Sequence, residues 1–251
     1  MNRANEPRPI KKGSPMLYSL GTGPGDPELM TFKAVNILKK VNYLAVPVSA
    51  TGQDSVALQV VRPHIKERLD AGELQIIELL FPMLKDRQAA IQHRVTAAEE
   101  VLRVLESGSD IAMITIGDPT IYSTCFYVDE IVRARGFDTQ IIPAVSSVTA
   151  AAATAGVSLA RQDESISIVP GLKGADEVFE YLDHAETLVI MKAGALATDL
   201  SDLLNERGMD HHAVLLSRLG FPDERVEPLG QIDANRKRPY FSTVIVKKGG
   251  L

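Results

Sequence analysis

The chain has 251 residues, of which 45% are hydrophobic and 24% are charged, and its formal net charge is −5. This composition supports a sizeable core in one large domain or two ordinary ones, and it excludes a mainly disordered chain. The negative charge, the aromatic content of 5% and the absence of Trp argue against a nucleic-acid partner. Cys125 is the single cysteine, which excludes an intramolecular disulfide and a cysteine-based zinc cluster.

The sequence also argues against a membrane protein. No apolar run reaches the roughly 18–20 residues that span a bilayer. The start of the chain is polar and rich in Pro, Lys and Arg, without the apolar core of a signal peptide. We therefore expect a cytoplasmic protein with no membrane contact, beginning with a flexible arm over residues 1–15.

The first half of the chain alternates apolar, β-rich runs with segments of helical period. Strands are predicted at Met16–Leu20, Tyr43–Pro47, Leu74–Leu80, Ile111–Ile116 and Thr139–Pro143. Several of these runs show little polar alternation, as expected for strands covered on both faces. The clearest helix runs from Asp86 to Ser107, with an apolar stripe from Ile91 to Leu105. This order predicts a mostly parallel α/β sheet in a first domain of residues 16–145.

The second half has shorter strands and fewer helices. A helix of small residues is predicted at Val145–Ala155. Five strands follow, at Ser165–Val169, Thr187–Lys192, Ala213–Ser217, Arg225–Leu229 and Ser242–Lys247. So few helices between strands favour a mixed sheet with some antiparallel pairing. The predicted fold class is therefore α/β with two domains, the second spanning residues 146–251.

The first of three notable loops follows the first strand and reads GTGPGDPE from Gly21 to Glu28. Asp26 and Pro27 are typical of an N-cap and a first helical residue. The Rossmann dinucleotide fingerprint fails because Asp26 stands where its third glycine is required, and no Gly-Lys-Ser/Thr follows for a P-loop. A tight turn that binds no ligand is an equally good interpretation of this loop alone.

The other two loops also follow predicted strands. Gly117–Ser123 contains Asp118 and Tyr122, which could contact a ligand; alternatively, Asp118 only caps a helix beginning near Thr120. Pro143–Ser147 offers two hydroxyls at a helix start, or simply an ordinary serine N-cap. Because ligands bind at the carboxyl ends of the strands in open α/β sheets, the loops predict a binding site there.

Other catalytic or metal-binding patterns are weak. The five histidines (His64, His93, His184, His211 and His212) show no ligand spacing, so no protein-bound metal is expected. Cys125 is interpreted as a small buried residue, since no activating partner is evident. No Gly-x-Ser-x-Gly elbow is present.

Taken together, the motifs resemble those of the tetrapyrrole (corrin/porphyrin) methylase family. The matching segments are LGTGPGDPELMTFKA (Leu20–Ala34), GDPTIYS (Gly117–Ser123), PAVSS (Pro143–Ser147), VIMKAG (Val189–Gly194) and FSTVIVKKG (Phe241–Gly249). The resemblance runs from Met16 to Gly249, and Ala144 departs from it where many members have Gly. The IYS of the second loop, the FPM segment (Phe81–Met83) and YFSTVIVKK are most similar to members that methylate C20 of precorrin-2 or cobalt-factor II.

This resemblance implies an S-adenosylmethionine-dependent C-methyltransferase of cobalamin biosynthesis, releasing S-adenosylhomocysteine, with its active site in a cleft between the two domains and a homodimeric assembly. The residues it implies for the cofactor are Pro24, Ile116, Gly117, Asp118, Ser146, Ser147, Met191, Leu219 and Thr243. Asp26 and Tyr122 are the candidates for accepting the proton lost from the substrate. For the carboxylates of the substrate the candidates are Lys33, Arg87, Arg161 and Arg218, although any one of them alone is more commonly a solvated surface charge.

Three alternatives stay open at this point. A relative could methylate another ring position, or a protein side chain such as the diphthamide precursor. A nicotinamide-dependent oxidoreductase could use the first glycine loop, although its fingerprint is incomplete. A non-catalytic nucleotide-binding module is the third. The sequence does not decide whether the tetrapyrrole carries cobalt.

Overall fold

The computed structural model describes residues 13–82 and 86–251. The chain divides into two units, Met1–Val145 and Ser146–Leu251, called unit 1 and unit 2 below. Most of the predicted arm (residues 1–12) and Met83 of the Phe81–Met83 segment lie outside the described residues. Within the described ranges, no helix combines the length and the apolar character that crossing a membrane requires.

Unit 1 contains a fully parallel sheet of five strands in the order β3-β2-β4-β1-β5. Its strands are β1 (Met16–Gly21), β2 (Tyr43–Val48), β3 (Gln75–Leu80), β4 (Ile111–Thr115) and β5 (Asp138–Ile142). Its helices are α1 (Phe32–Leu38), α2 (Val56–Asp70), α3 (Arg87–Glu106) and α4 (Cys125–Ala134), with a 3₁₀ helix at Pro27–Leu29. Each predicted strand is present to within one residue at either end, so the predicted parallel sheet is confirmed.

Short polar side chains start the first three helices. The side chains of Thr31, Ser55 and Asp86 accept hydrogen bonds from main-chain N–H groups in the first turns of α1, α2 and α3. These bonds satisfy donors that have no partner inside a helix. The predicted apolar stripe of α3 is correct only in its second half, because Ile91 is 38% exposed whereas Leu105 is buried.

Helices cover both faces of the unit 1 sheet. On one face, Leu17 and Met113 pack with residues of α3 and α4. Successive residues of a strand point to opposite faces, so the buried Leu44 and Ala112 lie on the other face, against α1 and α2. The helix that follows β1, α1, therefore covers one face of the sheet, whereas α4, which follows the adjacent β4, covers the other face. Such a divergence between neighbouring parallel strands is where open α/β sheets bind ligands.

Unit 2 contains a mixed sheet in the order β6-β7-β10-β8-β9, in which only β6 and β7 are parallel. Its strands are β6 (Ile166–Val169), β7 (Thr187–Met191), β8 (Ala213–Ser217), β9 (Arg225–Pro228) and β10 (Ser242–Lys247). Its helices are α5 (Ser147–Ala155), α6 (Glu177–Leu182) and α7 (Ala197–Glu206), with 3₁₀ helices at Ala193–Ala195 and Leu229–Gln231. The mixed second sheet is thus also as predicted.

The two faces of the unit 2 sheet bury different clusters. Val148 and Ala151 of α5 pack on one face with Val189 and Ile245. Residues of α6 and α7 pack on the other face. Alanines let α5 approach the sheet closely, and Gly156 ends this helix in the left-handed conformation, with φ 69°.

Candidate functional site

The loops after β1 and β4 are joined by their main chains. Beyond the parallel ladder, the N–H of Thr22 donates to the carbonyl of Thr115 at 2.9 Å. Gly23 and Gly117 then form an isolated antiparallel bridge, with N···O distances of 3.3 and 2.7 Å. Both glycines have positive φ, 77° and 74°, a conformation that other residues adopt only at a cost. The two glycine-bearing loops thus meet at the point where the chain directions diverge.

Asp118 ties the second loop to the third. Its carboxylate is buried, and its Oδ2 accepts a hydrogen bond from the N–H of Ala144 at 2.8 Å. Its Oδ1 accepts from the N–H of Thr120, also at 2.8 Å. The alternative that Asp118 caps a helix near Thr120 is wrong, because α4 begins only at Cys125. Asp118 instead closes a turn and holds the strand-end loops of β4 and β5 together.

Gly21, the last residue of β1, lies where these three loops are closest. A Cβ atom there would lie 2.5 Å from Cβ of Ala144, 2.6 Å from the carbonyl oxygen of Gly117 and 2.7 Å from Cδ of Pro119. Contacts this short leave no room for a side chain at Gly21. The loops therefore pack on the bare main chain of β1. A Cβ at Gly117, in contrast, would meet no atom of the described residues within 4 Å, so this loop presents open main chain.

A chain of small polar groups lies behind the second loop. Oγ1 of Thr115 lies 3.0 Å from Oγ of Ser123, which lies 2.9 Å from Sγ of Cys125. Burial raises the pKa of the Cys125 thiol to about 11, so the group is a neutral thiol at ordinary pH. Cys125 is thus buried, as predicted. Tyr122, in contrast, is half exposed and has φ 50°, an unfavourable conformation for an aromatic residue.

Asp26 has the local role that its sequence context predicts. It is the N-cap of the 3₁₀ helix that starts at Pro27, and its Oδ1 accepts from the N–H of Glu28 at 2.8 Å. The neighbouring Pro24 is buried. The first loop therefore combines a buried glycine-rich turn with a carboxylate at its partly exposed end.

In unit 2, three of the predicted cofactor residues lie close together. Met191, at the end of β7, is the register partner of Thr243 near the start of β10. Met191 and Leu219 pack in one cluster with Val148 of α5. Ser147 is the first residue of α5 and Ser146 is its N-cap, accepting from the N–H of Val148 at 3.2 Å. The serine N-cap interpretation is thus correct for Ser146.

Within each unit, the two predicted substrate-binding cations stand on different elements. Arg218 directly follows β8, at the same end of its sheet as Met191, and its guanidinium pairs with Asp223 at 3.1 Å. Arg161 lies at the opposite end, where Glu164 accepts from the N–H of Arg161 and pairs with Lys247. In unit 1, exposed Lys33 and Arg87 stand near the starts of α1 and α3.

A second group of basic residues was not predicted from the sequence. Arg236, Lys237 and Arg238 precede β10 and line a cavity together with Lys192. In the sequence, this basic cavity is indicated only by the run of three consecutive basic residues before the final strand.

A model of the family described as Tetrapyrrole (Corrin/Porphyrin) Methylases matches residues 16–233. The chain belongs to this family. The match includes both glycine-bearing loops and the third loop, so the tetrapyrrole methylase motifs predicted from sequence are those that the structure joins at the ends of β1, β4 and β5.

Two relatives of this tetrapyrrole methylase are similar to it over nearly their whole lengths. A Methanocaldococcus jannaschii protein, named as a probable cobalt-precorrin-2 C(20)-methyltransferase, is 36% identical over 92% of this chain and 96% of its own. The cobalt-precorrin-2 C(20)-methyltransferase of Salmonella typhimurium is 31% identical, with the same two coverages of 92% and 96%.

Solved structures of tetrapyrrole methylases share the fold. A cobalt precorrin-4 methyltransferase superposes with a TM-score of 0.65 at 18% identity, covering 92% of this chain and 94% of that one. The uroporphyrin-III C-methyltransferase of Thermus thermophilus, crystallised with S-adenosylhomocysteine, has a TM-score of 0.58 at 20% identity, covering 93% and 97%. The predicted two-part α/β fold is thereby confirmed. Within residues 13–82 and 86–251, no three His, Cys, Asp or Glu side chains are grouped as a metal site.

Proposed function

We propose that this protein is an S-adenosylmethionine-dependent C-methyltransferase that methylates C20 of precorrin-2 or cobalt-factor II in cobalamin biosynthesis. The observation that carries the proposal is the similarity, at 36% and 31% identity over 92% of the chain, to two relatives named for C20 methylation of cobalt-precorrin-2. A relative from Sinorhizobium named precorrin-2 C(20)-methyltransferase, 29% identical, supports the same reaction on a substrate named without cobalt.

The residues at the strand ends fit S-adenosylmethionine. Gly117 presents open main chain, and its loop is fixed by the bridge to Gly23. We propose that Pro24, Ile116, Gly117 and Asp118 contact the cofactor from unit 1. The oxygens of Asp118 also accept from main-chain N–H groups of the protein, so this residue in addition holds the loop in shape.

On unit 2, the proposed cofactor residues are Ser146, Ser147, Met191, Leu219 and Thr243. Met191 and Leu219 offer apolar surface to an adenine ring, and the serines and Thr243 offer hydroxyls. A fold neighbour crystallised with S-adenosylhomocysteine supports this choice of cofactor. That the residues of both units form one cleft stays a prediction.

The proposed methyl transfer needs no covalent intermediate with a side chain of the protein. S-adenosylmethionine supplies a methyl group on a positively charged sulfur, already activated for transfer to an electron-rich carbon. The rigid loops of unit 1 would fix the geometry, and positioning of this kind contributes up to roughly 7–11 kcal/mol in ideal cases. When the new C–C bond forms at C20, the hydrogen at that carbon leaves as a proton.

Asp26 and Tyr122 are the proposed acceptors of this proton. A base within hydrogen-bond reach adds on the order of 10²–10⁴ in rate. The carboxylate of Asp26 stands at the partly exposed end of the first loop, and Tyr122 is half exposed on the second loop. The unfavourable φ of Tyr122 supports a functional role, because strained conformations cluster at such sites.

Assembly and location are further parts of the proposal. We propose a homodimer located in the cytoplasm. Light scattering on the purified protein tests the first, and a molar mass of one chain at micromolar concentration would contradict it. Fractionation of the producing cells tests the second.

The deciding experiment is a methylation assay that offers precorrin-2 and cobalt-factor II in parallel. Mass spectrometry counts the methyl groups added, and NMR assigns the carbon that carries the new one. We expect one methyl group at C20 of at least one substrate. Methylation at another carbon would replace the proposed regiochemistry while keeping the enzyme class.

Calorimetric titration separates the proposal from the other classes of function. We expect micromolar binding of S-adenosylhomocysteine and no binding of NAD or ATP. Binding of NAD alone would favour the oxidoreductase and refute the proposal. Binding of ATP alone would favour the nucleotide-binding module.

A further inference from the structure

Unit 2 contains a cavity of about 500 Å³ with a strongly basic lining. Its charged lining residues are Lys192, Arg236, Lys237 and Arg238, and Thr198 and Asn235 add neutral donors. Among the residues described, no Asp or Glu lines it. The whole chain carries a net charge of −5, so four cations around one cavity are a strong local departure from the average.

The cavity lies at the end of the sheet where the proposed cofactor residues are. Lys192 directly follows Met191, the last residue of β7. Residues Arg236–Arg238, called the basic segment below, pack on the turn that follows β7. A Cβ at Gly194 of this turn would lie 3.1 Å from the carbonyl oxygen of Arg238 and 2.3 Å from that of Pro239. Met191 is paired with Thr243 on β10. The cavity thus opens one residue beyond the pair proposed to contact the cofactor.

The buried side chain of Arg238 is hydrogen-bonded to the main chain that leads into the basic segment. Its side chain is only 3% exposed, and its Nη1 donates to the carbonyls of Asp233 at 2.6 Å and Arg236 at 2.5 Å. Its Nε and Nη2 are buried and make no hydrogen bond to any residue that the structure describes. Glu227 lies 3.9 Å from Arg238 and 3.8 Å from Arg236, and offsets part of their charge.

The two lysines of the lining are exposed. Lys192 has φ 57°, a conformation that costs free energy for a residue with a side chain. Its Nζ lies 5.7 Å from the centre of the Tyr240 ring. Within the described part of the chain, neither Lys192 nor Lys237 has a carboxylate within ion-pair distance. Clustered like charges repel one another, so an anion bound here would relieve that repulsion.

We propose that this cavity binds a carboxylate side chain of the tetrapyrrole substrate, an inference that rests on the function proposed above. Ammonium and guanidinium groups bind carboxylates through charge-assisted hydrogen bonds, which are the strong ones in proteins. The proposed substrate carries carboxylates around the edge of its ring. A site beside Met191 would hold one of them while the reacting carbon meets the cofactor.

The test uses the pair of lysines and a matched pair elsewhere. Lys192→Gln/Lys237→Gln removes two positive charges from the cavity. Lys39→Gln/Lys40→Gln removes the same charge from the exposed end of α1, at the opposite end of the unit 1 sheet from the loops. Lys192→Arg/Lys237→Arg keeps the charge. For each protein we would measure KM and Kd for cobalt-factor II, and Kd for S-adenosylhomocysteine.

We expect the Gln pair at the cavity to raise Kd and KM for cobalt-factor II by roughly ten-fold or more, since charge-assisted hydrogen bonds are stronger than those between neutral groups. Its affinity for S-adenosylhomocysteine should stay within about two-fold of the parent, and the Arg pair should behave as the parent does. Added salt should weaken tetrapyrrole binding more in the parent than in the Gln variant.

Two results would overturn the inference. Tetrapyrrole affinity equal to that of the Lys39/Lys40 control would show that the cavity takes no substrate carboxylate. A loss confined to S-adenosylhomocysteine would assign the cavity to the cofactor's own carboxylate instead. Failure of the proposed function is a different observation, because the parent protein itself would then transfer no methyl group to either tetrapyrrole.

Discussion

Replacing Gly21 with Ala tests whether the three loops of unit 1 depend on a bare main chain where they meet. The added methyl group would lie 2.5–2.7 Å from atoms of Ala144, Gly117 and Pro119. Carbon atoms attract one another best at about 3.5–4.0 Å, so the neighbours must move by roughly 1 Å. One of them is a carbonyl oxygen and another belongs to a proline ring, and neither can turn aside as a flexible side chain would.

Overpacking of this kind costs about 1–3 kcal/mol. For a chain of this length each kcal/mol lowers the melting temperature by about 2–4 °C, so Gly21→Ala should melt roughly 2–12 °C below the parent. Because the clash pushes the loops apart, the Kd for S-adenosylhomocysteine should rise at least about ten-fold. Adding Ala144→Gly removes one of the three contacts and should restore only part of both losses.

Calorimetric melting and titration measure both effects. Gly249→Ala is the matched control, because a Cβ there meets nothing within 4 Å in the described part of the chain and its φ is not in the left-handed region. It should melt at the parent's temperature or slightly above it. If Gly21→Ala melted and bound as this control does, the three loops would not be packed as described.

Three more predictions concern unit 1. Asp118→Asn turns an N–H group towards the main-chain N–H of either Ala144 or Thr120, so we expect a loss of about 1–3 kcal/mol in unfolding free energy and weaker S-adenosylhomocysteine binding; unchanged chemical denaturation would contradict this. Burial raises the pKa of Cys125 from 9.0 to about 11, so stability that is fully present below pH 9 should fall by roughly 2 kcal/mol as pH rises to 11, and the fall should be smaller in Cys125→Ala. Asp129→Ala removes the buried carboxylate that pairs with Arg133 and accepts from the Thr139 hydroxyl; because Arg133 is 38% exposed and can turn to water, we expect a cost of about 1–3 kcal/mol in urea unfolding, and an unchanged unfolding curve would contradict this.

The local architecture could be predicted because it follows from local patterns. Strands of unit 1 are continuous apolar runs since both faces of the sheet are covered, and short polar residues mark the starts of α1, α2 and α3. The three loops could be found for the same reason, since each follows a strand directly. The prediction that Ile91 belongs to the buried stripe of α3 is wrong. Helical periodicity shows which face of a helix is apolar, but it does not show how far along the helix other elements pack against that face.

Contacts that depend on strand order could not be predicted. Asp118 reaches Ala144 only because β1 lies between β4 and β5, and no local pattern encodes that order. The basic cavity needs Gly194 to pack against Pro239, far along the chain. Arg161 lies away from Met191 because β10 runs antiparallel to β7, so that Lys247 and Thr243 mark opposite ends of the sheet.

The position of β10 has a consequence for the order in which the protein folds. This strand comes last in unit 2, yet it lies in the middle of the sheet between β7 and β8. Unit 1 has all five strands once Ile142 has been synthesised, whereas unit 2 has only two separate strand pairs until residues 242–247 emerge. During translation unit 1 can fold first, and unit 2 must wait for its central strand. A chain that stops before Ser242 would leave β7 and β8 with open edges, and aggregation is the expected result.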